Sequence, residues 1–161
     1  MSKMKMGRAK KNLLLVLVGL LISSAGYAQG SNLRIEINTP QTSVKNDEEI
    51  SVATTILNTS PQEQHFQVWS CSYYDNWMVD SPYLTLTQWP CTKNGIKEIV
   101  LKPGEAYENK LSLKIDVPAQ EVMVEEVTFK LGFKTVVEAS QQKVPEAPII
   151  WSQPVTLKIK E

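Results

Sequence analysis

The chain has 161 residues, with 17 Lys and Arg against 17 Asp and Glu, and two cysteines. That length suits one domain with a proper core and is too short for two comfortable ones. Residues 1–30 carry Lys3, Lys5, Arg8, Lys10 and Lys11 and no acid, which leaves a body of twelve basic against seventeen acidic residues, about −5. A mildly acidic body has no basic stripe to neutralise phosphates, which argues against nucleic acid as a partner and against an electrostatic hold on anionic lipid.

In chain order the first element is a processing segment. Five positive charges precede an apolar run over residues 13–22, followed by small residues with Gly26 and Ala28 at −3 and −1 of a cleavage point. A basic flank, a short apolar stretch and small residues are the three parts of a secretory signal peptide. Ten apolar residues rise only about 15 Å as a helix, half of a ~30 Å hydrocarbon core, so no stable membrane insertion is expected once the segment is cleaved. The pattern resembles bacterial export signals. Residues 1–28 are the predicted helical signal peptide, and 29–161 the mature domain, exported to the periplasm or the medium.

The body reads as all β. Leu33, Ile35 and Ile37 alternate with Arg34, Glu36 and Asn38, and a break follows at Thr39–Pro40. Asn46, Asp47 and Glu48 turn the chain into a β-branched run over 49–58, whose Ile50, Val52, Thr54 and Ile56 share a face. A turn at 58–61 leads to 65–70, with Phe66 and Val68 on one face and Trp69 on the other. A strand over 96–101 ends in Lys102-Pro103-Gly104-Glu105, which predicts a type II turn because Gly supplies the positive φ at the third position. Tyr107, Leu111, Leu113 and Ile115 then alternate with charged and polar residues, as do Val127, Phe129, Leu131 and Phe133. Val122 and Val124 lie on the opposite parity, which predicts a bulge or break near Glu125 and Glu126. The last run holds Trp151, Val155, Leu157 and Ile159, and Pro154 within it predicts a strand beginning at an edge or after a bend. Residues 138–148 read as a protruding loop. Seven to eight strands separated by turn signals favour an antiparallel β-sandwich.

At 101–115 a strand ending in Pro-Gly-Glu leads into an alternating leucine strand, and this resembles the extracellular immunoglobulin-like modules of bacteria. Together with the 50–58 strand running through a turn into 66–71, the pattern is also similar to the C-terminal sandwich domains of transglutaminases and to the bacterial intracellular proteinase-inhibitor fold. The resemblance implies an immunoglobulin-like sandwich. It does not carry over the antibody disulfide, because here the cysteines stand twenty positions apart and enclose a loop.

In an exported chain Cys71 and Cys91 are expected to form a disulfide, the single connectivity two cysteines allow. The loop they close holds Tyr73, Tyr74, Trp77, Tyr83 and Trp89, with Asp75, Asn76 and Asp80 between the rings. Two readings follow. The rings pack the disulfide and one end of the core, or Tyr73, Tyr74, Asp75, Asn76, Trp77 and Tyr83 form a rigid contact surface for a protein or glycan. Both hold together if the tryptophans turn inward and the tyrosines outward. Asp75, Asn76 and Asp80 fit no EF-hand spacing. His65 is the single histidine, whereas copper and zinc sites on sandwich folds draw on several imidazoles. No cofactor, metal or catalytic constellation is expected. The functional expectation is an exported, non-catalytic binding module presenting the 71–91 loop. The alternatives are a secreted inhibitor of a peptidase or other hydrolase and a carbohydrate-binding module.

Overall fold

A computed structural model describes residues 32–119, 124–136 and 148–160, all within one compact unit, Ser31–Glu161. The predicted signal peptide, Val122 and most of the expected 138–148 loop lie outside the described residues. Among the described residues the secondary structure is twelve strands and a single 3₁₀ turn at Tyr73–Asn76. No helix there is long and apolar enough to cross a membrane.

The alternating runs become strands with the expected faces inward. β1 (Leu33–Asn38), β3 (Glu49–Asn58), β6 (Leu84–Leu86) and β8 (Ala106–Ile115) form an antiparallel sheet in the order β1-β3-β8-β6. Ile35 opposes Ile56, and Val52 opposes Leu111, so one face of this sheet is largely apolar, with Thr54 and Asn58 buried on it as well. The Pro103-Gly104 turn forms as predicted, with Gly104 at φ +79° and Glu105 N–H donating to Lys102 C=O at 2.9 Å.

A second layer covers that face. β2 (Ser43–Lys45) runs parallel to β12 (Val155–Lys160), which pairs antiparallel with β9 (Glu126–Phe129). β10 (Leu131–Phe133) lies between β11 (Ile150–Trp151) and β5 (Trp77–Val79). β4 (Gln64–Trp69) pairs with β7 (Ile96–Leu101) and joins the layer through Gln67, whose N–H donates to Thr135 Oγ1 at 2.8 Å and whose C=O accepts from Val136 N–H at 2.9 Å. Ile50, Val52, Leu111 and Leu113 from the first layer share one buried core with Val68, Phe129, Phe133 and Leu157 from the second. Phe133 meets Phe66 edge to face at 5.4 Å and Trp77 at 5.2 Å. The fold is all-β and sandwich-like.

Twelve strands stand where seven or eight were expected because two runs are interrupted, as β9/β10 and β11/β12, and because three short strands, β2, β5 and β6, form where none was expected. At Lys130 the backbone leaves the ladder for Asp80, with N–H to Oδ1 at 2.6 Å, which separates β9 from β10. Between β11 and β12 the pairing slips by one residue, from Gly132↔Trp151 to Phe129↔Val155. That is a bulge at Ser152-Gln153-Pro154, where Pro154 has no N–H to give a ladder. β12 begins directly after it.

Candidate functional site

The chain between β4 and β7 makes an excursion. It contributes β5 to the second layer, crosses to the first as β6, and returns to pair beside β4 as β7. Cys71 and Cys91 stand at its two ends with Cα atoms 5.9 Å apart and their sulfurs bonded, so the expected disulfide is present. Backbone donors that turn out of a strand need other partners, and Asn94 supplies them. Its Oδ1 accepts from the N–H of Cys71 at 3.2 Å and of Ser72 at 3.3 Å, while its Nδ2 donates to Ser72 Oγ at 2.6 Å. Ser70 N–H donates to Gly95 C=O at 2.8 Å, and Gly95 N–H to Ser70 Oγ at 3.1 Å.

Within this neck Trp89 packs edge-on against Tyr73 at 5.0 Å and Tyr74 at 4.4 Å between ring centroids. Tyr74 OH donates to Trp89 C=O at 2.9 Å, and Tyr73 OH to Lys110 C=O at 3.1 Å. Buried aromatic hydroxyls find partners in this way, and each bond fixes a ring against the scaffold. Asn76 is the polar pin beneath them. Its Oδ1 accepts from Trp69 N–H, and its Nδ2 donates to Lys134 C=O, both at 2.9 Å.

The six residues expected to make a contact surface therefore divide. Tyr74, Asn76 and Trp77 are 8, 2 and 5% exposed, which makes them core residues rather than the contact groups expected of them. Tyr73 and Tyr83 are half-buried, and only Asp75 of the six is fully exposed. The reason is area: rings clustered at one end of a small sandwich remove the most apolar surface from water by turning inward.

The outward face lies elsewhere, and the excursion still takes part in it. Among the described residues the exposed large hydrophobic side chains are Ile96, Val100, Ile149 and Trp151. All four lie on the outer face of the second layer. Ile96 and Val100 alternate with buried Ile99 and Leu101 on β7. Ile149 and Trp151 cover Gly132, whose neighbours Leu131 and Phe133 point into the core. Gly132 also opposes Met78 of β5, so Met78, Gly132 and Trp151 form one row across the sheet. In the next row Lys130 Nζ sits 5.5 Å from the Trp151 ring centroid and 3.3 Å from Asp80 Oδ2. The indole, 40% exposed, is thus held from below by a glycine and from one side by an ammonium that a carboxylate positions. Met78 and Asp80 come from the disulfide-closed excursion.

His65 stands on the exposed face of β4 between two carboxylates, with Nδ1 3.1 Å from Glu98 Oε1 and Nε2 2.9 Å from Glu63 Oε1. The bond to Glu98, then that to Glu63, raises the imidazole pKa above its ordinary 6.5. Among the described residues no cluster of His, Cys, Asp and Glu is arranged to hold a metal ion.

No protein-family model and no curated protein matches the chain. Among solved structures it is similar to the crystal structure of a FixG-related protein from Vibrio parahaemolyticus, at 13% identity and a TM-score of 0.45, over 81% of this chain and 98% of that one.

Proposed function

We propose that this chain is an exported, non-catalytic, immunoglobulin-like binding module that meets a protein partner through the outer face of its second layer, with Trp151 as the anchor. The order β1-β3-β8-β6 matches that of strands A-B-E-D in an immunoglobulin sandwich, and the pairing of β12 with β9 matches G with F, which supports this reading. The departure is that β6, in the D position, precedes β7 in the chain. Export is supported by the disulfide, since such bonds persist in oxidising compartments.

One observation carries the binding reading: an exposed tryptophan laid over a glycine, with Ile149 and Met78 beside it and a Lys130–Asp80 pair at its rim. Tryptophan and methionine are enriched at contact surfaces, and charged pairs are found at their edges. A preset indole loses little side-chain freedom when a partner covers it. The disulfide-closed 71–91 segment serves this face through Met78 and Asp80.

The test is site-specific photo-crosslinking in the exported protein. A photoreactive residue at Met78 is expected to give a discrete adduct, and one at Ser51, on the outer face of the other layer, none. The adduct should disappear in Trp151→Ala. Absence of an adduct at Met78, or its persistence without the indole, removes this surface from consideration. Binding to a glycan array that depends on Trp151 would assign the same platform to carbohydrate instead.

A further inference from the structure

β7 ends the second layer on one side: among the described residues its strand neighbour is β4 alone. Ser70 N–H donates to Gly95 C=O at 2.8 Å, and the register continues from Trp69↔Ile96 to Gln64↔Leu101. Backbone groups alternate sides along an antiparallel strand. Gly95, Lys97, Ile99 and Leu101 therefore turn theirs toward β4, while Ile96, Glu98 and Val100 turn theirs to the open side. The side chains of those same three residues lie on the outer face, where Ile96 and Val100 are 40 and 43% exposed. A row of strand donors and acceptors facing open space is a template for another strand.

The side chains of β7 specify which strand. Glu98 stands between Ile96 and Val100 in the outer row, and His65 of β4 holds its carboxylate, with Nδ1 3.1 Å from Oε1. Glu63 lies 2.9 Å from the other imidazole nitrogen, so this part of the face carries two carboxylates against one imidazole. Lys97 has the opposite parity and does not share the row. A second copy of β7 suits the edge poorly, because a two-fold axis that sets Ile96 opposite Val100 also sets Glu98 opposite Glu98, and like charges directly opposed are unfavourable. An incoming antiparallel strand fits when it sets a basic residue opposite Glu98 and apolar residues opposite Ile96 and Val100. We propose that the β7 edge is a strand-addition site for an extended segment of another protein, one that carries Lys or Arg between two apolar residues at alternate positions. Three hydrogen-bonded pairs exchange roughly six backbone bonds. Those bonds supply affinity, and the three facing side chains supply selectivity. The site goes beyond the Trp151 surface and does not rest on it: β11, which carries Trp151, pairs with β10 and not with β7.

The probe is a fluorescein-labelled synthetic peptide, Thr-Val-Thr-Arg-Thr-Val-Thr, titrated against the exported protein by fluorescence anisotropy. Saturable binding is expected. Replacing the peptide's Arg by Glu should weaken it by about tenfold. Glu98→Arg should reverse that preference, so that the Glu peptide binds better than the Arg peptide. N-methylation of the peptide's Arg amide, which faces β7, should abolish binding. N-methylation of a Thr beside it, whose amide faces away, should be tolerated. Trp151→Ala should keep the peptide bound, which separates this site from the Trp151 contact. Glu98 is exposed, and circular dichroism checks that both variants are folded. No saturable binding up to about 1 mM peptide, equal affinity for the two peptides, no reversal in Glu98→Arg, indifference to which amide is methylated, or loss of binding with Trp151 would each overturn the proposal.

Discussion

Trp151 lies so close over Gly132 that a Cβ at position 132 would meet two carbons of the indole at 2.9 Å. The same Cβ would meet Ile149 at 2.6 Å. Gly132→Ala is therefore expected to lift the indole off the sheet and separate it from Lys130. Because the displaced groups are exposed side chains, the stability loss should stay near 1 kcal/mol, at the low end for overpacking. Tryptophan emission, read against Trp151→Phe to isolate this ring, should shift to longer wavelength. An unchanged Trp151 contribution would show that the glycine is not what seats the ring.

Removing the clasp should cost stability without abolishing the fold. Closing a loop of this length constrains the unfolded chain by about 3 kcal/mol in the entropy model, and Cys71→Ser with Cys91→Ser should lose about that much in urea denaturation. The neck retains the Asn94 and Ser70 hydrogen bonds in the variant, so the native strand content should persist. An unfolded double variant would mean that those bonds add nothing on their own.

Asn76 joins two segments that no ladder connects directly. Asn76→Ala removes the acceptor of the Trp69 N–H and a donor to the Lys134 C=O, each at 2.9 Å. An N–H left without its acceptor costs about 1–3 kcal/mol, so the loss should be about 1–3 kcal/mol. Tyr83→Ala is a weaker perturbation, because that ring is half-buried. Chemical denaturation of the two variants ranks them, and the reverse order would contradict the role given to Asn76.

His65 predicts a pH dependence of a definite sign. Glu98 and Glu63 raise its folded pKa above 6.5, so the histidinium is favoured in the folded state. Its stabilising contribution is fully present below 6.5 and is lost as pH rises through the raised folded pKa. The group is fully exposed, so the effect should be small and reduced by salt. Melting temperatures across that window should fall more with rising pH in wild type than in His65→Gln. A parallel pair of profiles would remove the effect.

Much of this protein could be read from local chemistry. Period-two alternation places Ile35, Val52, Leu111, Phe129 and Leu157 inside without knowledge of their partners, because a strand that buries one face must alternate. The Pro103-Gly104 turn needed only the positive φ that glycine accepts. Two cysteines with one connectivity defined the clasp.

Trp151 shows what local chemistry leaves undecided. It shares parity with Val155, Leu157 and Ile159, so alternation alone turns it into the core. The one-residue slip before Val155 reverses its face, and a slip in register sends a side chain to the other side of the sheet. The rings at 73, 74 and 77 illustrate the converse. Their residue types suit a contact surface and a core equally well, and only the approach of Phe133 and Trp89 settles most of their area inside. The sequence by itself determined the long alternating strands, the turn and the clasp, because each depends on neighbours along the chain. Which aromatic groups meet solvent was decided by the tertiary structure, because that depends on pairing between segments far apart in the chain.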